Sequence, residues 1–521
     1  VVTNSFPACT AGKNDGMALE AQREVERKYD VSADTQLPDL LELPDISFVD
    51  SQEPVSLEAI YFDTPDQVLR RNRITLRRRT GGADAGWHVK FPSGESRIEI
   101  RAVLDTGDDI EMPEEIRDIV SVFVRGQKFE RTATLKTSRT FHYLHSDEEV
   151  LAEVCDDVVT SVTASGQVKR WREWEVELEN SSSLDGLAAV QLLDDVEEKL
   201  IVAGAERSLR ASKVGFALGP LPETAERPIG KKGSLRAVLT LAFHSAASGL
   251  TYWDPLVRRG EPDALHQLRV SVRTLRGLLK VGRKMLDEDR ARSLSDQLKV
   301  TGQALGAARD AEVQLEILDE RVDLWDHDTV SEQAIARMRN RLASEQEEAL
   351  AAALEHLRSP EYFATLDSVD AFLADIPLGS QYDDAARARG PLRAAVDRQV
   401  RRIKEHVEAA SALDEGEEWV ELLHEARKEA KTLRYMIRHL EAVPGSDLGG
   451  HRKALRVRAT GLQDGLGEHR DSLGFQAFVR SVALEAAAAN EDTFSYGVLF
   501  AAEAPVQDRA LRRVRQGLKS L

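Results

Sequence analysis

The chain has 521 residues, 42% of them hydrophobic and 31% charged, with a net charge of −19. Roughly 100–200 residues per domain gives two to four domains with real cores. A run of about 18 apolar residues, as a membrane helix needs, does not occur, and the acidic balance argues against a general nucleic-acid binder, which presents a basic face.

Residues 1–16 are small and polar, without the apolar core of a signal peptide. They read as a disordered leader, with Met17 as an alternative start. Two cysteines, Cys9 and Cys155, are too few and too distant for a disulfide framework or a zinc site. A reducing cytoplasm is therefore the default compartment.

From about residue 17 to 218 the apolar pattern is mostly period two, the strand signature. Arg73-Ile74-Thr75-Leu76-Arg77, Trp87-His88-Val89-Lys90 and Trp174-Glu175-Val176-Glu177-Leu178 all alternate, and Gly81-Gly82 and Ser93-Gly94 mark turns. Leu184 to Ala203 reads as a helix. Residues i, i+2 and i+4 of a strand share a face. Glu24, Glu26 and Lys28 therefore lie together, as do Arg77 with Arg79, His88 with Lys90, Glu99 with Arg101, Glu153 with Asp157, and Glu173, Glu175 and Glu177. Any single pair fits a wet sheet face. Together, with apolar residues at the alternate positions, they predict a charged interior inside a closed sheet. So many buried charges must be paired, hydrated or bound to ions. Lysine and arginine take phosphate oxygens, and glutamates hold Mg²⁺ or Mn²⁺.

Glu24-Val25-Glu26-Arg27-Lys28 resembles the ExExK signature of the CYTH (triphosphate tunnel metalloenzyme) superfamily. Tyr61-Phe62-Asp63-Thr64-Pro65, Leu76–Thr80, Gly86–Lys90, Leu151–Asp157, the Glu173–Glu177 row and Ser212-Lys213 resemble its later motifs in order. The resemblance implies an eight-stranded antiparallel β tunnel with flanking helices, which binds a triphosphate with Mg²⁺ or Mn²⁺. It implies Lys28, Arg77, Arg79, Lys90, Arg139 and Lys213 on the phosphates. Glu24, Glu26, Glu153, Asp157, Glu175 and Glu177 would hold metal or orient water, with Glu24, Glu26 and Lys28 at the catalytic centre. Neighbouring charges leave alternative registers for Glu99, Arg101, Lys136 and Asp156. The sequence does not assign the general base to one glutamate.

Gly219-Pro220-Leu221-Pro222 and Pro228 to Gly233 bound a charged stretch and read as a linker over 219–233. From 234 to 521 the period becomes 3.6, predicting an all-α domain. His266, Arg269, Arg273, Arg276 and Lys280 follow steps of three and four, as do His424, Arg427, Lys431, Arg434 and Arg438. Such steps stack residues on one helix face. A solvated face normally mixes signs, yet both stripes are basic. Leu305–Asp310 echoes Leu466–Asp471, at 44 and 47 positions after the leading histidines. The repeat predicts two related helical bundles whose stripes converge on one polyanion channel. The stripes offer no row of aromatic platforms for bases, and Tyr435 reads as a packing residue.

These stripes and the Leu-Gly-x-x-Arg-Asp motif resemble the CHAD (conserved histidine α-helical) domain. That resemblance implies a polyphosphate site lined by His266, Arg269, Arg273, Arg276, Lys280, His424, Arg427, Lys431, Arg434 and Arg438. The histidines, without clustered carboxylates, favour anion contact over metal ligation, and Arg309 and Arg470, each next to an aspartate, read as members of structural ion pairs. The expected activity is a metal-dependent triphosphatase acting on inorganic tripolyphosphate or a related triphosphate, with polyphosphate as partner and polyphosphate granules as a candidate location. A non-catalytic polyphosphate binder, an adenylyl cyclase and a thiamine triphosphatase are the alternatives. Oligomeric state is left open.

Overall fold

The computed structural model describes residues 19–94, 96–103, 111–179, 181–210, 212–221, 230–325, 329–413, 416–446 and 452–518. The leader expected over 1–16, with Cys9 and Met17, and residues 222–229 of the expected linker lie outside these. The chain divides into two compact units, Val1–Thr224 and Ala225–Leu521.

The first unit is an antiparallel sheet with helices on its outer face. Its elements are β1 (Leu19–Glu24), β2 (Glu26–Val31), β3 (Phe48–Ser51), β4 (Val55–Asp63), α1 (Val68–Arg71), β5 (Thr75–Thr80), β6 (Gly86–Ser93), β7 (Ser96–Val103), α2 (Glu114–Val124), β8 (Glu130–Ser146), β9 (Glu149–Thr163), β10 (Val168–Leu178), α3 (Gly186–Val202), β11 (Glu206–Arg207) and α4 (Lys213–Leu218). The strands pair in the order β1-β7-β6-β5-β4-β8-β9-β10-β2-β11, and β3 adds to β8. The sheet has eleven strands where eight were expected. Two short strands, β3 and β11, add to the count, and Val25 divides one extended run into β1 and β2. Those halves pair with different partners, β7 and β10.

The alternation read from the sequence places apolar side chains outward. Leu76, Trp87, Val89, Ile98 and Ile100 pack under Ile116, Ile119 and Val120 of α2. Leu144, Val154, Trp174 and Val176 pack under Leu192, Leu193 and Val196 of α3. Each fully buried large side chain contributes about 1.5–3 kcal/mol, and this layer fixes the strand register that turns the charged positions inward. The run at Arg73 differs from expectation: Arg73 adopts φ 61° and β5 starts at Thr75. Asp63 explains the turn. Its buried carboxylate accepts the amides of Thr64 (2.7 Å), Leu69 (2.9 Å) and Arg70 (2.9 Å), folding α1 back before the strand begins.

The second unit contains α5 (Leu235–Arg258), α6 (Ala264–Gly282), α7 (Glu288–Val322), α8 (Glu332–Arg358), α9 (Pro360–Ala374), α10 (Arg389–Ser411), α11 (Glu417–Glu441), α12 (Arg452–Ala488) and α13 (Phe494–Leu518). Ser234, Asp287, Ser331 and Ser359 cap helices by accepting first-turn amides. The packing repeats: α5 on α6, α6 on α7 and α7 on α8 correspond to α10 on α11, α11 on α12 and α12 on α13. The two halves meet where α6 lies on α11. That contact brings the two basic stripes together.

Candidate functional site

A cavity of about 920 Å³ lies within the first unit. Glu24, Glu26, Lys28, Arg77, Arg79, Lys90, Arg139, Glu153, Glu175, Glu177 and Lys213 all line it. Register explains the grouping. Glu177 faces Glu26 on β2 and Glu153 on β9, while Glu175 faces Lys28.

Asp157 is the expected site residue that does not line the cavity. It is fully buried on the same inward face of β9 as Glu153, bound by Arg139 through Nε (2.7 Å) and Nη2 (2.6 Å). Its carboxylate also lies with those of Glu173 and Glu175 as a possible cation cluster. The Lys213 ammonium already occupies that position, 3.0 Å from Asp157, 2.7 Å from Glu173 and 2.5 Å from Glu175. Burial opposes ionisation of Asp157 and Glu175, but Arg139 and Lys213 outweigh it and hold both acids low. Charge there is balanced by protein.

The opposite holds for Glu24, Glu153 and Glu177. Burial pushes Glu177 up to about 8, with Glu24, Glu26 and Glu153 adding repulsion. Burial also raises Glu24, although Lys90 Nζ donates to both its oxygens at 2.7 Å. It raises Glu153 too. Only Glu26 stays acidic: burial works against it, but Lys28, 2.8 Å away, draws it down to about 2. This end of the cavity carries more carboxylate than its lysines neutralise, and its hard oxygen donors suit Mg²⁺ or Mn²⁺.

Of the charges with open registers, Glu99 and Arg101 face the cavity. Glu99 is fully buried and accepts from His88 (3.0 Å), Arg77 (3.2 Å) and Arg101 (2.5 Å). Lys136 instead pairs with Glu58 outside (3.2 Å), and Asp156 with Arg172 (2.6 Å). Sequence reading passed over Asp84, which engages Arg79 at 2.5 Å, and the aromatic pair Phe141 and Tyr143. Their rings stack 5.8 Å apart, and Arg139 lies over Phe141 at 5.5 Å. The signal was present in the alternation Arg139-Phe141-Tyr143, which puts all three on one face.

A second cavity, of about 590 Å³, lies in the helical unit. His266, Arg269 and Arg273 of α6 and Arg427, Lys431 and Arg434 of α11 line it. The remaining stripe residues do not. Lys280 bonds the buried Glu429 (2.8 Å), Arg438 is exposed on the last turn of α11, and Arg276 and His424 lie outside the lining. Arg309, Asp310, Arg470 and Asp471 also line the cavity. Arg309 makes ion pairs with Glu312 (2.7 Å) and Glu316 (3.0 Å), and Asp310 pairs with Arg269 (3.0 Å). Tyr435 is 4% exposed, with Arg273 (5.5 Å) and Arg434 (5.0 Å) over its ring. Burial, reinforced by Arg427, Arg273, Arg470 and Arg269, pushes Lys431 down to about 6. The Nε atoms of Arg273 and Arg427 are buried without a hydrogen-bond acceptor. Positive charge and unmet donors suit this cavity to an anion.

An inward-charged sheet and a basic helical cavity thus belong to separate units of one chain. Residues 22–211 match the CYTH domain and residues 241–480 the CHAD domain. The chain belongs to the family that joins these two domains. Two relatives from Mycobacterium tuberculosis (strains CDC 1551 / Oshkosh and ATCC 25618 / H37Rv), both described as uncharacterized proteins, are 33% identical over 526 residues, covering 97% of this chain and 98% of theirs. Among solved structures, PptA from Streptomyces chartreusis is 20% identical, with a TM-score of 0.45, over 54% of this chain and 98% of its own. The CHAD domain from the plant Ricinus communis is 21% identical, with a TM-score of 0.46, over 58% and 98%. No helix among the described residues is long and apolar enough to cross a membrane.

Proposed function

We propose that the first unit is a divalent-metal-dependent triphosphatase for inorganic tripolyphosphate or a related triphosphate, and that the helical unit binds inorganic polyphosphate. The observation that carries this is the composition of one cavity: six phosphate-directed cations beside the under-neutralised carboxylates Glu24, Glu153 and Glu177. In this reading residues 19–31 act as one bent strand, so β1/β2 and β4 to β10 form an eight-stranded tunnel. The tunnel domain then spans 17–218, the linker 219–233 and the helical domain 234–521.

Glu24, Glu26, Glu153 and Glu177 would hold Mg²⁺ or Mn²⁺, which supplies Lewis-acid stabilisation of phosphate oxygens. Lys28, Arg77, Arg79, Lys90, Arg139 and Lys213 bind and align the phosphates, the main source of rate in phosphoryl transfer. A cavity-facing glutamate accepts the proton of the attacking water. Asp157, buried beside them, orients Arg139 and Lys213. Phosphate cancels the repulsion around Lys431 in the helical cavity. Cytoplasmic polyphosphate granules are the location this pairing suits.

The Phe141–Tyr143 pair supports a second reading, in which the triphosphate carries an aromatic group, as for an adenylyl cyclase or a thiamine triphosphatase. Phosphate release from tripolyphosphate, long-chain polyphosphate, ATP and thiamine triphosphate, with Mg²⁺ or Mn²⁺ and with chelator, separates these. Metal-dependent turnover that disappears in the Glu24→Gln/Glu26→Gln double variant supports the hydrolase. No turnover of any substrate, with tight polyphosphate binding, would leave a non-catalytic binder.

A further inference from the structure

The turn between β5 and β6 carries a carboxylate in among the arginines of the tunnel. Gly82, Ala83 and Asp84 of that turn line the cavity together with Arg77, Arg79 and Arg101. Asp84 accepts from Arg79 Nη1 at 2.5 Å, the one hydrogen bond to its carboxylate among the described residues.

The turn's backbone is fixed, while the carboxylate has room to move. Gly81 adopts φ 80°, and a Cβ there would stand 2.3 Å from the Ser56 carbonyl oxygen, so the turn presses on β4 where only glycine fits. His88 Nε2 donates to the Asp84 carbonyl (2.9 Å), which ties the turn to β6 as well. The Asp84 side chain is 27% exposed and the Arg79 side chain 9%. The aspartate can therefore turn toward solvent; the arginine cannot.

Charge explains why Arg79 takes a partner in the empty tunnel. Burial disfavours its guanidinium, and the neighbouring Arg77 and Arg139 add repulsion. Burial also opposes ionisation of Asp84, but Arg79, Arg77, His88 and Arg101 outweigh it and hold the carboxyl below its ordinary range. Asp84 thus stays anionic at neutral pH. It gives Arg79 what a phosphate oxygen would give, a charged acceptor for the guanidinium fork. Two such anions repel each other, so only one of them can hold Arg79 at a time.

We propose that Asp84 is an internal competitor for the phosphate at Arg79: it holds the arginine in the empty tunnel, yields to an entering phosphate, and returns to displace the cleaved one. The competition weakens every anion that reaches Arg79 and so favours product release over tight binding. This inference rests on the reading of Arg79 as a phosphate ligand given above.

The test is calorimetric titration of the full-length protein with tripolyphosphate and with orthophosphate, in chelator. Every protein compared carries Arg269→Ala/Arg273→Ala/Arg434→Ala, which removes three cations of the helical cavity and leaves the tunnel as the site read. Adding Asp84→Asn should tighten tripolyphosphate binding roughly tenfold, and orthophosphate should gain as well. With Arg79→Met also present, the effect of Asp84→Asn should fall below about twofold. Unchanged or weaker binding in Asp84→Asn, in a protein whose thermal melt shows it folded, would overturn the competition and make Asp84 a support for Arg79. A gain that survives Arg79→Met would overturn it too, because loss of negative charge anywhere in the tunnel would then explain the result. Asp84→Ser replaces Asp84→Asn if the amide variant does not fold. Binding is read without turnover, so a tunnel that proves inactive still tests the competition. Failure of the Asp84-containing protein and of both Asp84 variants to bind tripolyphosphate would instead sink the phosphate reading of the tunnel, and the competition with it.

Discussion

Arg269 on α6 lies across Gly306 on α7, with its Nη2 3.6 Å from where a Cβ would stand. Arg427 on α11 bears the same relation to Gly467 on α12, at 3.4 Å. The two halves of the repeated motif are therefore coupled: the glycine of each Leu-Gly-x-x-Arg-Asp segment leaves room for an arginine of the stripe.

The spacing at Gly306 sets a graded expectation. Gly306→Ala adds a methyl at ordinary contact distance, and alanine gains about 0.5–1 kcal/mol over glycine in a helix. This variant should bind polyphosphate normally and melt no lower. Gly306→Leu should displace Arg269 and weaken binding several-fold in a folded protein. Titration with long-chain polyphosphate and thermal melts check both; strong binding by the leucine variant would refute the packing role.

Arg269→Ala/Arg273→Ala/Arg434→Ala removes three cations from the helical cavity. Polyphosphate binding should fall by at least about a hundredfold, taking each charged contact at about 1 kcal/mol or more. Metal-dependent hydrolysis of tripolyphosphate should be kept. Equal loss of both activities in a folded triple variant would mean that the two sites are not separate.

Lys431 gives a proton signature. Its folded value of about 6 lies below the ordinary lysine value, so between pH 6 and 10 the empty protein holds it largely neutral. A bound polyanion favours the ammonium form. Binding at pH 7.5 should therefore take up protons, seen by calorimetry as a dependence on buffer ionisation enthalpy. Lys431→Arg should bind with that uptake reduced. By the same linkage, Lys431 makes the unliganded fold gain stability as pH rises from 6 toward 10, because the unfolded chain binds the extra proton.

Lys213→Met leaves Asp157, Glu173 and Glu175 buried without their shared ammonium. Breaking such a buried ion cluster costs about 3–5 kcal/mol. Asp157 and Glu175 are held low in the fold, so the stability they confer is present above the unfolded carboxylate range and lost as pH falls through their folded values. The variant should thus be weakest relative to its parent near neutral pH, with the gap narrowing in acid. Denaturant melts at pH 7 and 4 measure this. A constant gap would assign Lys213 a packing role only.

The sequence by itself determined the change from period two to period 3.6, the alternating charges of the strands and the duplicated basic stripes. Each is a local property: a strand turns alternate side chains to one side, and a helix stacks every third or fourth. Glu24, Glu26, Lys28, Arg77 and Glu175 could therefore be assigned to inward rows without any fold. Tertiary structure decided what depends on the meeting of distant segments. It set Lys213 among three acids of β9 and β10, so that Asp157 is taken up in holding Lys213 and Arg139. It brought six of the ten stripe residues to one cavity where α6 packs on α11, while Lys280 is taken up by the buried Glu429 and Arg438 faces solvent, because both outcomes depend on which segments meet.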